Sequence, residues 1–202
     1  MVHTEAIKFL NYGKQVLPEY FINKKILDVG CGDINGNNRY LFENCEYNGN
    51  DVIECPNATI ISKTKDLSFN DHTFDVIISS ECFEHDPEYK KSILNIYRML
   101  KPNGLFIFTC ASEGRPEHGT KRTTPNDSYG TIGNLEDMSD YYKNLEITDI
   151  DKIKKIDKVF SYWKSYYNYV SSDLYFIGIK KGDKKITFND YEDRFIMETT
   201  IW

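Results

Sequence analysis

The ten residues Lys25-Lys-Ile-Leu-Asp-Val-Gly-Cys-Gly-Asp33 bring together groups that could hold a nucleoside. The apolar run 26–29 reads as a buried parallel strand, and Gly30-Cys31-Gly32 breaks it at once. Glycines at that point let the chain turn sharply and bring its backbone against a ligand, because no Cβ intervenes. Asp28 lies inside the apolar run, where a carboxylate needs a partner to offset its loss of water. Further acids fall at the ends of later predicted strands. Asp51 ends the second, where a carboxylate can accept hydrogen bonds from ribose hydroxyls. Asp66, after the third, could accept from an exocyclic adenine amine. Asp75 opens the fourth strand, at its far end, and reads as structural.

The elements that must position these acids are legible in outline. Ile7, Leu10, Val16 and Leu17 predict a helix over 4–17, packed beside the first strand and stopped by Pro18. Residues 39–42 can be helical, 46–52 carries the second strand, 58–61 the third, and the β-branched run 74–79 the fourth. Residues 89–100 place Ile93, Ile96, Tyr97 and Leu100 on one helical face, which Pro102-Asn103-Gly104 terminates before a fifth strand at 105–110. Strands alternating with helical segments imply right-handed crossovers and a mostly parallel sheet covered on both faces. Beyond Cys110 the pattern changes. Residues 111–135 are polar and rich in Gly, Pro, Thr and Asn, a length at which a loop is functional or disordered. Residues 137–144 and 148–156 read as short helices, and 158–169 with 172–180 as a closing antiparallel pair.

Bulk properties narrow the function classes. A chain of 202 residues can build one domain with a real core. Its net charge of −6, with no long basic run interleaved with aromatics, disfavours nucleic acid as partner. The five cysteines, Cys31, Cys45, Cys55, Cys82 and Cys110, form no C-x-x-C pair and no zinc spacing. They fit reduced thiols and a cytoplasmic protein. No apolar run reaches membrane-spanning length, and no signal-like leader is present at 1–5.

Taken together, the motifs resemble those of the class I S-adenosylmethionine-dependent methyltransferases, in particular the type 11 group of small-molecule methylases. Ile26-Leu-Asp-Val-Gly-Cys-Gly32 is similar to that family's first motif, and Asp51 to its second-strand acid. Phe74-Asp-Val-Ile-Ile-Ser-Ser80, the pair Glu84-His85, and Leu100-Lys-Pro-Asn-Gly-Leu105 resemble its fourth-strand motif, the corner after it and the turn before the fifth strand. Ile34 stands where a third glycine is common, and the next glycine is Gly36. A dinucleotide-dependent dehydrogenase fits less well, since position 35 is Asn. The resemblance implies a Rossmann-like α/β fold: a seven-stranded, mostly parallel sheet with an antiparallel C-terminal strand pair and helices on both faces. It would span 1–181, with 111–135 as an active-site loop. The tail 182–202 could pack on the domain or on a second copy, as in a homodimer.

The resemblance also implies roles. Gly30, Cys31 and Gly32 would approach the methionine part of S-adenosyl-L-methionine, with Asp28 oriented toward its ammonium. Asp51 would hold the ribose, with Val52 against the adenine. Asp66 and Leu67 would close over the base, and Ser80 with Glu81 would line the wall beneath the sulfonium. S-adenosyl-L-homocysteine is then the product. Methyl transfer needs the acceptor aligned with the S–CH₃ bond, and a base helps when the acceptor is a hydroxyl. His85 follows the fourth strand and His118 sits in the loop after the fifth, so both emerge at the carboxyl edge of the sheet. His118 is the candidate general base and His85 a second polar contact or the alternative base. Arg115, Lys121 and Arg122 add a basic cluster that suits an anionic acceptor. A metal site from Glu84, His85, Glu117 and His118 lacks the helical spacing of two histidines, so no metal is expected. The expected reaction is O-methylation of a small polar acceptor such as a sugar, sugar phosphate or surface-glycan precursor. The alternatives are an N-methyltransferase, a tRNA-modifying methyltransferase, and a non-catalytic nucleoside-binding subunit.

Overall fold

A computed structural model describes residues 4–34 and 36–183. The expected tail, beyond residue 183, lies outside the described residues. Seven strands form one sheet: β1 (Lys25–Val29), β2 (Glu46–Asp51), β3 (Ile60–Ile61), β4 (Phe74–Ser80), β5 (Leu100–Ala111), β6 (Phe160–Asn168) and β7 (Asp173–Lys180). Their spatial order is β3-β2-β1-β4-β5-β7-β6. The first five are mutually parallel, while β7 runs antiparallel to both β5 and β6. The chain leaves β1 toward one edge and returns at β4, so the sheet's switch point lies between these two strands. Ligands of open α/β sheets bind beyond the strand carboxyl ends at such a point.

Alternation along the strands builds two cores. On β4, Ile77 packs with Phe106, Phe108 and Phe176 on one face, while Val76 and Ile78 pack with Leu105, Ile107 and Ile177 on the other. The first face is covered by α2 (Tyr89–Met99), which buries Tyr89, Ile93, Ile96, Tyr97 and Met99, together with α4 (Ile147–Ile153) and α5 (Ile156–Val159). The second is covered by α1 (Thr4–Val16). This helix lies over β5 and β7 instead of beside β1: Phe9 stacks on Tyr175 at 4.8 Å. Gly13 permits it, since a Cβ there would stand 2.6 Å from Ile107 Cδ1.

The remaining helical segments differ from the sequence pattern for local reasons. Residues 39–42 yield only a 3-10 turn, Arg39–Leu41. Residues 137–144 are not helical, because their polar groups bond outward. The Asp137 carboxylate pairs with Lys63, and the Lys143 and Leu145 amides donate to the carbonyls of Glu84 and Ala111 at 2.9 Å. The loop 111–135 contains a short helix, α3 (Tyr129–Ile132), held by Thr131, whose hydroxyl donates to Gly119 O at 2.5 Å. Asn103, near the start of β5, takes a left-handed position with φ 60°, which asparagine tolerates. Asp75 bonds the Lys25 amide and pairs with Lys101, the structural role expected of it.

Candidate active site

A pocket partly open to solvent lies at the carboxyl ends of β1, β2 and β4. Gly30 and Gly32 form its floor, Asp51 and Val52 one wall, and Ser80, Glu81 and His85 the opposite wall. The loop after β5 supplies the roof through Asp127, Ser128, Tyr129 and Gly130. Lys63, bridged to Asp137, ties that roof to the edge of the sheet. Glu81 leaves β4 with φ 51°, a left-handed conformation that costs energy for a non-glycine residue and turns the chain into the pocket wall.

The carboxylates at the floor are engaged by the protein itself. Asp51 accepts the Gly32 amide at 2.9 Å through Oδ2 and the Val52 amide at 2.7 Å through Oδ1. One acid thus fixes both the glycine turn and the end of β2; the Cys55 thiol also bonds it, and the carboxylate keeps accepting capacity for a ligand hydroxyl. Burial raises its pKa. Asp28 is fully buried beneath the turn. The Asn38 amide donates to it at 3.1 Å and reaches Ser80 Oγ at 3.0 Å, while Tyr47 donates from the other side. Burial pushes the Asp28 pKa up to about 7 against these two donors. The turn glycines are required by protein neighbours. A Cβ on Gly30 would meet Cys82 Sγ at 2.5 Å, and one on Gly32 would meet the Tyr129 ring at 1.9 Å.

The opposite corner is arranged differently. His85 and His118 meet edge-to-face with ring centroids 5.0 Å apart, and Tyr142 packs 5.6 Å from the first and 5.0 Å from the second. His118 Nδ1 lies 3.1 Å from Pro116 O; a carbonyl only accepts, so Nδ1 carries the proton and Nε2 the lone pair. Gly119 makes room for this pair, since a Cβ there would stand 2.6 Å from His85 Cε1. Beneath them Glu84 is fully buried. Among the described residues its two oxygens have no side-chain partner, and both ring nitrogens of His85 and Nε2 of His118 are buried with no hydrogen-bond partner. Burial raises the Glu84 pKa to about 7, holds His85 well below the usual imidazole range and lowers His118.

Of the residues singled out in the sequence, Gly30, Gly32, Asp51, Val52, Ser80, Glu81 and His85 line the pocket, and His118 packs directly behind His85. Cys31 is buried beside the turn and Asp28 below it, neither in the lining. Asp66 and Leu67 lie outside, bordering a separate depression with Ile60 and Ser62. Asn95 explains this: its amide donates to the Thr64 and Leu67 carbonyls and pins the turn to α2, so Asp66 points to solvent and pairs with Lys65. Lys63 and Thr64 line the pocket in their place. Arg115 reaches Ser171 O and the buried Asp173, and Arg122 pairs with Glu117 and Asp140, so neither guanidinium lines the pocket. Lys121 is exposed. Sequence reasoning missed Asn38 and Tyr47, which hold Asp28, and Tyr129 as the residue over Gly32. Only three-dimensional placement separates that tyrosine from the other fourteen.

Comparison with known proteins agrees with this geometry. Residues 27–108 match the type 11 family whose description is "Methyltransferase domain". A segment of 56 residues is 36% identical to phosphoethanolamine N-methyltransferase 2 of Caenorhabditis elegans; it is 28% of this chain, and the chain spans 13% of that relative's length. Among solved structures, the 1,6-didemethyltoxoflavin N1-methyltransferase of Burkholderia thailandensis, with S-adenosylhomocysteine bound, superimposes with a TM-score of 0.57 at 12% identity. That match covers 85% of this chain and 77% of the other. Phosphoethanolamine N-methyltransferase 2 of Haemonchus contortus, in complex with S-adenosyl-L-methionine, gives 0.55 at 16% identity, covering 85% and 53%. Residues 27–108 thus match a methyltransferase-domain model, and the chain shares the fold of these solved methyltransferases.

Proposed function

We propose that this chain is an S-adenosyl-L-methionine-dependent methyltransferase acting on a small polar acceptor. The observation that carries the reading is one pocket bounded by the Gly30–Gly32 turn and Asp51 on one side and by the His85 corner on the other. The first side suits an adenosyl group: backbone at the glycine turn, and a carboxylate with accepting capacity left for a ribose hydroxyl. The cofactor supplies an activated methyl group. The protein's part is to align the acceptor and to assist loss of its proton. His85, which lines the pocket, or His118, packed directly behind it, is assigned to receive that proton.

The acceptor atom assigned here is the hydroxyl oxygen of a sugar, sugar phosphate or related glycan precursor, since such an atom needs a base. A nitrogen acceptor is the second reading, favoured because several of the relatives found are N-methyltransferases. Turnover of radiolabelled cofactor against sugar phosphates, nucleotide sugars, phosphorylated amines and RNA separates the two. Label in an alkali-stable ether supports oxygen, label on an amine replaces that reading with nitrogen, and label in RNA removes both. The anionic character of the acceptor rests on Lys121, which has no ion pair among the described residues, whereas Arg115 and Arg122 do. Lys121→Ala should raise KM for an anionic acceptor while product affinity stays constant; an unchanged KM removes that element.

A further inference from the structure

The cluster behind the pocket wall contains more unsatisfied capacity than acceptor binding requires. Burying a polar atom without a partner is unfavourable, and more so for a charged group. Among the described residues, both ring nitrogens of His85 and Nε2 of His118 have no partner, and the Glu84 carboxylate beneath them has no side-chain partner. Glu84 is 0% exposed and His85 6%. One ligand atom from each of the three residues lies within 4.8 Å of the others. We propose that Glu84, His85 and His118 form a binding site for a divalent transition-metal ion.

The donor set fits that class of ion. Two imidazole nitrogens and one carboxylate oxygen make a borderline-soft N₂O set, which suits Zn²⁺, Fe²⁺ or Co²⁺ better than Mg²⁺ or Ca²⁺. Ligands at about 2.0–2.2 Å from one ion stand roughly 3–4 Å apart, so binding draws these groups inward by about 1 Å. His118 already carries the outer contact that metal-bound histidines need. Its Nδ1–H donates to Pro116 O, which fixes the ring and aims the Nε2 lone pair inward. Gly119, where a side chain would collide with His85, keeps the second ring free to turn. Three protein ligands leave a further position open, the arrangement of sites that bind a water or a substrate atom. His85 belongs both to this cluster and to the pocket wall, so the site adjoins the place where the acceptor is expected. With an ion bound, both imidazoles serve as ligands. Proton loss is then promoted at an acceptor atom on the open position instead of by a free His118. The metal site does not depend on the methyltransferase reading.

The test uses the full chain dialysed against a chelator and titrated with Zn²⁺ by calorimetry and with Co²⁺ by visible absorption. The expected result is one equivalent of ion, with cobalt bands typical of four- or five-coordination. His118→Ala and Glu84→Gln should each weaken binding by about 100-fold. Binding of S-adenosylhomocysteine, measured on the same samples, shows that each variant is folded. No saturable uptake, or uptake unaffected by His118→Ala, overturns the metal site and leaves the methyltransferase reading standing. Metal uptake without any affinity for the nucleoside product does the reverse.

Discussion

At the glycine-turn end of the pocket, each carboxylate oxygen of Asp28 and Asp51 already has a donor inside the protein. At the His85 end, three ring nitrogens have no partner among the described residues and the Glu84 carboxylate has no side-chain partner. The first region is preorganised: Asp51 holds two backbone amides in place, so a ligand meets a fixed surface. The second has unfilled hydrogen-bonding capacity among the described residues, which a ligand could take up. A transferase with a generic methyl donor and a particular acceptor divides its site along this line. The donor end can be rigid, while the acceptor end carries the chemistry.

The largest effect that would sharpen this contrast is on turnover. His118→Ala should lower kcat by about 10²–10⁴-fold with product affinity unchanged, because the residue belongs to the acceptor end alone. Equal losses in both would erase the distinction between the regions. Next comes a pH effect confined to the floor. Folding raises the Asp28 pKa from 3.8 to about 7. Between those values the folded state binds more protons than the unfolded, so stability should fall as pH rises through this window, by up to about 4 kcal/mol. Asp28→Asn should remove that portion of the slope, which chemical denaturation at pH 5, 6, 7 and 8 would measure. A smaller effect tests the fit of roof to floor. Gly32→Ala forces Tyr129 out of position and should cost about 1–3 kcal/mol. In a Tyr129→Ala background most of that cost should vanish, a coupling that a double-mutant cycle reads directly. An undiminished penalty would mean that the roof does not rest on the turn.

How much of this was legible beforehand follows the range of the interactions. The strands were readable because burial on both faces demands β-branched and aromatic runs such as 74–79, and the glycine turn because a local motif announces it. Asp51 lines the pocket, and its position at a strand end is itself a local feature. Asp66 was misplaced because its direction is set by Asn95, distant in sequence and carrying no mark of its own. Asp28 was recognised as needing partners, yet Asn38 and Tyr47 could not be named from an Asn-rich stretch and one tyrosine among fifteen. The predicted helix at 137–144 failed for the same reason: after short local turns at Met138, Ser139 and Tyr141, the Lys143 amide bonds Glu84 and that of the adjoining Leu145 bonds Ala111. His85 and His118 were both expected at the carboxyl edge, but their contact with each other over a buried Glu84 is a property of the folded chain alone.

The central claim is that the pocket holds an adenosyl cofactor through Asp51. Calorimetric titration with S-adenosylhomocysteine tests it most directly. The account predicts saturable binding of one equivalent by the wild-type chain. In Asp51→Ala it predicts affinity lowered by about 10–100-fold, as expected for a lost charge-assisted hydrogen bond to the ligand. Absence of binding to the wild-type chain, or equal affinity in the folded variant, would contradict it.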